Sequence, residues 1–145
     1  MQEPLDTANA DLVALRDMGF ANPERTASMM ACTLDCIKLL NPDGRIGYMS
    51  HNGRCAMDIC DLNQVLGATW WTLWPEERRE MVKASVDYAR AGRTANFVAD
   101  CPTATGRPAR WDVTVQGVTD SDGTVVEIMA VSRHTHDPER ALTCY

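Results

Sequence analysis

The chain has 145 residues, 45% of them apolar and 23% charged, which suits one globular domain with a real core. Its formal net charge of −6, with basic residues scattered rather than massed, argues against nucleic acid as a partner and against a polybasic membrane patch. No apolar run is long enough to span a membrane, and residues 1–6 lack the pattern of a secretory signal, so the expected compartment is the cytoplasm.

Residues 1–9 are polar and expected to be loose, and residues 10–18 read as a short helix closed by Gly19. Asn22-Pro23-Glu24 opens a second helix that runs to about Thr33, with Asn22 as its cap and Pro23 at the first helical position. Residues 36–40 and 46–49 form a hairpin around Asn41-Pro42-Asp43-Gly44-Arg45, where Pro fixes φ and Gly supplies a positive φ. Two short helical pieces follow, at 52–58 and 61–67, the latter closed by Gly67. The aromatic stretch Trp70-Trp71-Thr72-Leu73-Trp74 leads into a long helix over 75–91, with Glu76 and Glu77 in the first turn and Gly92 at its end. Val82, Val86 and Ala89 lie along one face of it. A strand is expected over 94–101. Beyond the loop 102–108, Trp111, Val113 and Val115 alternate with Asp112, Thr114 and Gln116, the signature of a half-buried strand. Asp120-Ser121-Asp122-Gly123 is a turn, and residues 124–132 a last strand. The predicted class is α+β: a five-stranded antiparallel sheet with helices on one face and an N-terminal helical cap. The organisation read from it is an N-terminal helical extension over 1–23, a core domain over 24–136 and a polar tail over 137–145.

The chemistry-bearing residues point to no catalytic set. There is no Walker lysine, G-x-G-x-x-G, G-x-S-x-G or H-E-x-x-H pattern. Six cysteines could form three disulfides, but a reducing compartment and a chain of this length favour free thiols. The spacings Cys32-x3-Cys36 and Cys55-x4-Cys60 do not match structural zinc sites. His134-x-His136, followed by Asp137, is too common a pattern to count as a metal site. Trp70, Trp71 and Trp74, crowded before the long helix, together with Trp111, are open to two readings: a lined cavity or plain core packing.

The order of these elements resembles the PAS domain of bacterial sensor proteins. The resemblance covers roughly residues 24–136. The stretch from Asp35 to Ile46 looks like the opening hairpin of that fold, with Asn52 where many PAS domains carry an asparagine. The stretch from Gly67 to Glu77 is similar to the family's glycine, small linker and W-x-x-x-x-P segment. Cys101-Pro102-Thr103, Gly106, Arg110-Trp111-Asp112-Val113 and Asp122-Gly123 match the last-sheet segments, and Val131-Ser132-Arg133 the start of the family's S-R-D-I-T ending. The chain departs from that ending at His134-Thr135-His136, which puts the usual coupling to a helical linker in doubt.

The resemblance implies a non-catalytic sensory or interaction module of bacterial signal transduction, of the type associated with sensor histidine kinases. It would sense a small ligand or mediate homodimerisation, and relay to an output domain or partner signalling protein. Asn52, Met57, Trp70, Trp74, Met81, Phe97, Trp111 and Met129 are the pocket candidates, and Arg133, His134 and His136 the signal-exit candidates. The expected cofactor is none, or an unknown small molecule. The long helix has no histidine for haem, and nothing matches the N-C-R-F-L-Q run of the light-sensing flavin branch. A non-covalent flavin redox sensor and a ligand-free dimerisation module are the alternatives, with a small α+β enzyme behind them.

Overall fold

A computed structural model describes residues 4–145, with side chains from Ala10 onward. In chain order it contains α1 (Pro4–Asp17), α2 (Pro23–Ala31), β1 (Cys36–Leu40), β2 (Ile46–Met49), α3 (His51–Ala56), tight helical turns at Leu62–Gln64 and Trp70–Leu73, α4 (Glu76–Arg90), β3 (Ala95–Asp100), β4 (Arg110–Thr119), β5 (Val125–His134) and β6 (Arg140–Cys144). The expected looseness of residues 1–9 is corrected from Pro4 onward, where α1 already begins; residues 1–3 lie outside the described residues. Asn22 precedes α2, but its side chain makes no capping bond.

The strands form one antiparallel sheet in the order β2-β1-β5-β4-β3-β6. The expected five strands are therefore six. The segment read as a polar tail returns along β3, pairing Ala95 with Cys144 and Asn96 with Thr143. Its polar stretch hides this edge strand, because only Leu142 and Cys144 face protein while the rest faces water. Glu139 fastens its start: the carboxylate pairs with Arg78 of α4 at 2.9 Å and accepts from the Asp100 N–H at 3.1 Å.

The two hairpin turns form as their sequences dictate. Asn41 Oδ1 accepts from the Asp43 and Arg45 amides, and Asp120 Oδ1 from those of Asp122 and Thr124. Gly44 holds φ +88°, and the Trp71 ring packs directly on it, so any Cβ there would collide with the indole. Trp71 is thereby fixed to the first hairpin.

Helices cover both faces of the sheet, not one. On the inner face α3 and α4 enclose the main core, where Val82, Val86 and Ala89 of α4 meet Phe97, Val113, Val115 and Ile128. Gly117 lets the end of α4 approach β4 closely; a Cβ there would stand 2.9 Å from the Ala89 carbonyl. On the outer face, Leu15, Ala27 and Met30 of α1 and α2 pack on Ile37, Leu39 and Tyr48. β1 is consequently buried along its whole length, with Cys36, Lys38 and Leu40 inward and Ile37 and Leu39 outward. The cap is also latched by polar contacts. Fully buried Asp11 of α1 accepts a short hydrogen bond from the Tyr48 hydroxyl and a 3.2 Å bond from the His51 amide, while its second oxygen has no partner. Among the described residues no helix is long and apolar enough to cross a membrane.

Candidate functional site

The inner face carries a small, partly open cavity of about 20 Å³, room for little more than one water-sized group. Three elements converge on it. The turn at Trp70–Leu73 points Trp70 and, just beyond it, Trp74 inward, their rings meeting edge to face at 6.2 Å. The end of α3 supplies Met57 and Ile59, and the sheet supplies Lys38, Met49, Cys101, Trp111 and Ser132. Met57 and Leu73 form a thin wall, since both also reach solvent.

The polar groups at this cavity are few. The Trp111 indole N–H is committed to the Cys101 carbonyl at 3.0 Å. Burial pushes the Cys101 thiol up to about 11, so it is a neutral thiol at physiological pH, in contact with the Leu73 carbonyl at 3.6 Å. Lys38 remains. Its side chain is 3% exposed, its Nζ donates to Ser132 Oγ at 3.1 Å, and it stands 5.8 Å from the Trp70 ring centroid. Among the described residues no carboxylate pairs with it.

The cavity wall is pinned from outside. Asp58, just past α3, adopts φ +59° and accepts from Thr103, Thr105 and Arg107 of the β3–β4 loop. Arg107, followed by the two threonines, holds its carboxyl well below the usual carboxylate range. The Met57 carbonyl accepts from the Ala104 amide at 2.9 Å, closing the same seam. The broader depression outside this seam, around His51, Arg54 and Cys55, is open to solvent, and among the described residues its only acid is this fully engaged Asp58.

Of the pocket residues expected from sequence, Met57, Trp70, Trp74 and Trp111 meet at the cavity. Phe97 stands behind Trp74, with ring centroids 5.5 Å apart, and Met81 packs at the edge of the same core; neither lines the cavity. Met129 lies on the opposite face of the sheet. Asn52 is a tie between helices: its Nδ2 donates to the Thr33 carbonyl at 2.8 Å. The residues that sequence reasoning missed are Lys38, Met49, Cys101 and Ser132. A signal for Lys38 was present, a lone charge inside the apolar run Cys36-Ile37-Lys38-Leu39-Leu40.

The exit candidates diverge. Arg133 pairs with Asp35 at 3.0 Å, His134 stacks on Trp111 at 4.0 Å between centroids, and His136 lies past the strand, lining a surface depression that Asp100 and Arg110 also line. Among the described residues no group of three or more His, Cys, Asp or Glu is placed to hold a metal ion.

Comparison with known proteins agrees with this architecture. Among curated proteins, none matches the sequence. Solved structures do match. The PAS domain of an HTR-like protein from Haloarcula marismortui superposes with a TM-score of 0.60 at 19% identity, covering 77% of this chain and 93% of that one. A PAS domain from Colwellia psychrerythraea gives 0.66 at 13% identity, covering 77% and 95%. VqmA bound to DPO gives 0.63 at 11% identity, covering 79% of this chain and 57% of that one. At these identities the likeness is one of fold. A family model described as PAS fold matches residues 33–140, and with the six-stranded sheet and the cap it establishes that the chain belongs to the PAS family of sensory and signalling domains.

Proposed function

We propose that this domain senses a small molecule in the inner-face cavity and passes its occupancy along β5 to an output domain or partner signalling protein. The observation that carries this reading is Lys38, a buried amine with one neutral hydrogen-bond partner beside an unfilled space. Buried charges are ordinarily paired, and a packed core gains nothing from a lone one, so the lysine is best explained by a guest. The route outward is short. Ser132 touches Lys38, its neighbour Arg133 grips Asp35 at the start of β1, and His134 stacks on the cavity residue Trp111. VqmA, which shares the fold, is bound to DPO, which supports a ligand-carrying role for such a core.

The cavity's size weighs against a flavin, whose three fused rings far exceed about 20 Å³. Homodimerisation is supported by the cap, where Val13, Met29 and Leu34 are exposed apolar side chains. The sensing reading is tested by titrating the purified chain with a panel of charged and neutral compounds of two to six heavy atoms, following tryptophan fluorescence and melting temperature. At least one compound is expected to give a saturable change that Met57→Trp, by filling the cavity, abolishes. A panel without saturable binding overturns the reading.

A further inference from the structure

We propose that the guest is a small monocarboxylate of formate or acetate size, whose anionic head pairs with Lys38 Nζ and Ser132 Oγ. This rests on the small-molecule reading above and names the chemistry of its site.

The polarity of the cavity is one-sided. A protonated lysine amine offers three hydrogens, and only one is taken, by Ser132. The Ser132 hydroxyl accepts that bond and keeps its own hydrogen for a guest. The Trp111 N–H and the carbonyl beside it satisfy each other. What faces the space is therefore a cation and a hydroxyl donor, and no carboxylate of the described residues competes for them. A guest that completes this set brings acceptors and negative charge.

Its remaining surface must be apolar. Apart from Lys38 and Ser132, the wall is indole, thioether and aliphatic carbon, with Cys101 present as a neutral thiol. A planar carboxylate can give one oxygen to Lys38 and the other to Ser132, leaving a hydrogen or methyl against Trp70 and Met57. Charge sets the upper limit. One lysine can neutralise a monoanion, whereas a phosphate dianion would bury a second, unpaired charge. Size sets the other limit: about 20 Å³ is little more than one water, so even formate or acetate enters only as Met57 or Leu73 swings outward.

The placement also says how occupancy is read. Lys38 and Ser132 lie on adjacent paired strands, where Cys36 of β1 is opposite Ser132 and Lys38 opposite Ala130. An oxygen bridging Lys38 and Ser132 would brace β5 against β1 immediately before Arg133 and His134.

The test uses the full chain in calorimetric titrations at constant ionic strength with sodium acetate, acetamide and sodium chloride, on the wild type, Lys38→Met and Ser132→Ala. Acetate is expected to bind saturably and at least tenfold more tightly than acetamide or chloride. Lys38→Met should abolish binding while keeping wild-type circular dichroism, and Ser132→Ala should weaken it severalfold. Equal binding of acetate and acetamide, or of acetate and chloride, overturns the carboxylate assignment while sparing the small-molecule reading. Acetate binding untouched by Lys38→Met overturns the role of Lys38. If another panel compound binds but acetate does not, only the carboxylate is lost; if nothing binds, both readings fall. Should Lys38→Met misfold, the contrast between acetate and acetamide on the wild type decides alone.

Discussion

Replacing Lys38 by Met should stabilise the empty protein. Burying an ammonium costs several kcal/mol even after relaxation. Against that stand one charge-assisted hydrogen bond to Ser132 at 3.1 Å, worth about 1.5–3 kcal/mol. A cation–π contact with Trp70 at 5.8 Å adds about 0.5–2 kcal/mol. The balance leaves the lysine a net cost of about 1–3 kcal/mol. Methionine follows its unbranched path one atom shorter and sets a thioether among indoles, but strands the Ser132 hydroxyl at a cost of about 1 kcal/mol. Lys38→Met is therefore expected to gain up to about 2 kcal/mol, and Lys38→Met with Ser132→Ala about 1 kcal/mol more. For a domain of this size that raises Tm by up to about 8 °C. Urea unfolding followed by tryptophan fluorescence, in buffer free of carboxylates, reads it directly. A loss of 1 kcal/mol or more would instead make Lys38 a structural cation already satisfied by the fold.

Asp11→Ala strands the Tyr48 hydroxyl and the His51 amide but removes an unpaired oxygen, so it should cost about 2–3 kcal/mol and speed hydrogen exchange in α1 and α2 before the sheet. Tyr48→Phe tests the same latch from the alkaline side. Burial, then the Asp11 carboxylate, raises the phenol above its ordinary value, so the stability it contributes is complete below about pH 10 and falls as pH rises further, when the unfolded chain gives up its proton first. The variant should lack that alkaline loss in pH-dependent melts. Asp58 has the opposite sign: its depressed carboxyl contributes stability above about pH 4 that is lost as pH falls toward its folded-state value. Asp58→Asn should flatten the acid side of the profile and loosen residues 102–108 in hydrogen exchange.

The sequence made most of the architecture legible because local chemistry and the global fold agree there. The Asn41–Arg45 turn, the alternation through Trp111, Val113 and Val115, and the α4 face of Val82, Val86 and Ala89 each specify one outcome. β6 was lost because an edge strand needs only one inward residue in two, and Leu142 and Cys144 are too few to stand out. The helices on both faces were missed because a run such as Cys36–Leu40 says that a strand is covered on both sides without saying by what. In the site, large aromatic residues were legible through their bulk, whereas Met129 was misplaced because strand parity sends it outward, two residues from Val131. Lys38 and Ser132 become a pair only across the β1–β5 ladder, 94 residues apart in sequence.

Whether the inner cavity is where this PAS domain receives its signal is read from the four indole N–H resonances during an acetate titration. Trp70, Trp74 and Trp111 line the cavity, while Trp71 packs on Gly44 outside it and serves as an internal control. Saturable shifts of the first three are expected, with Trp71 still. Four unmoved resonances, or a Trp71 that moves as far as the others, would contradict that role for the cavity.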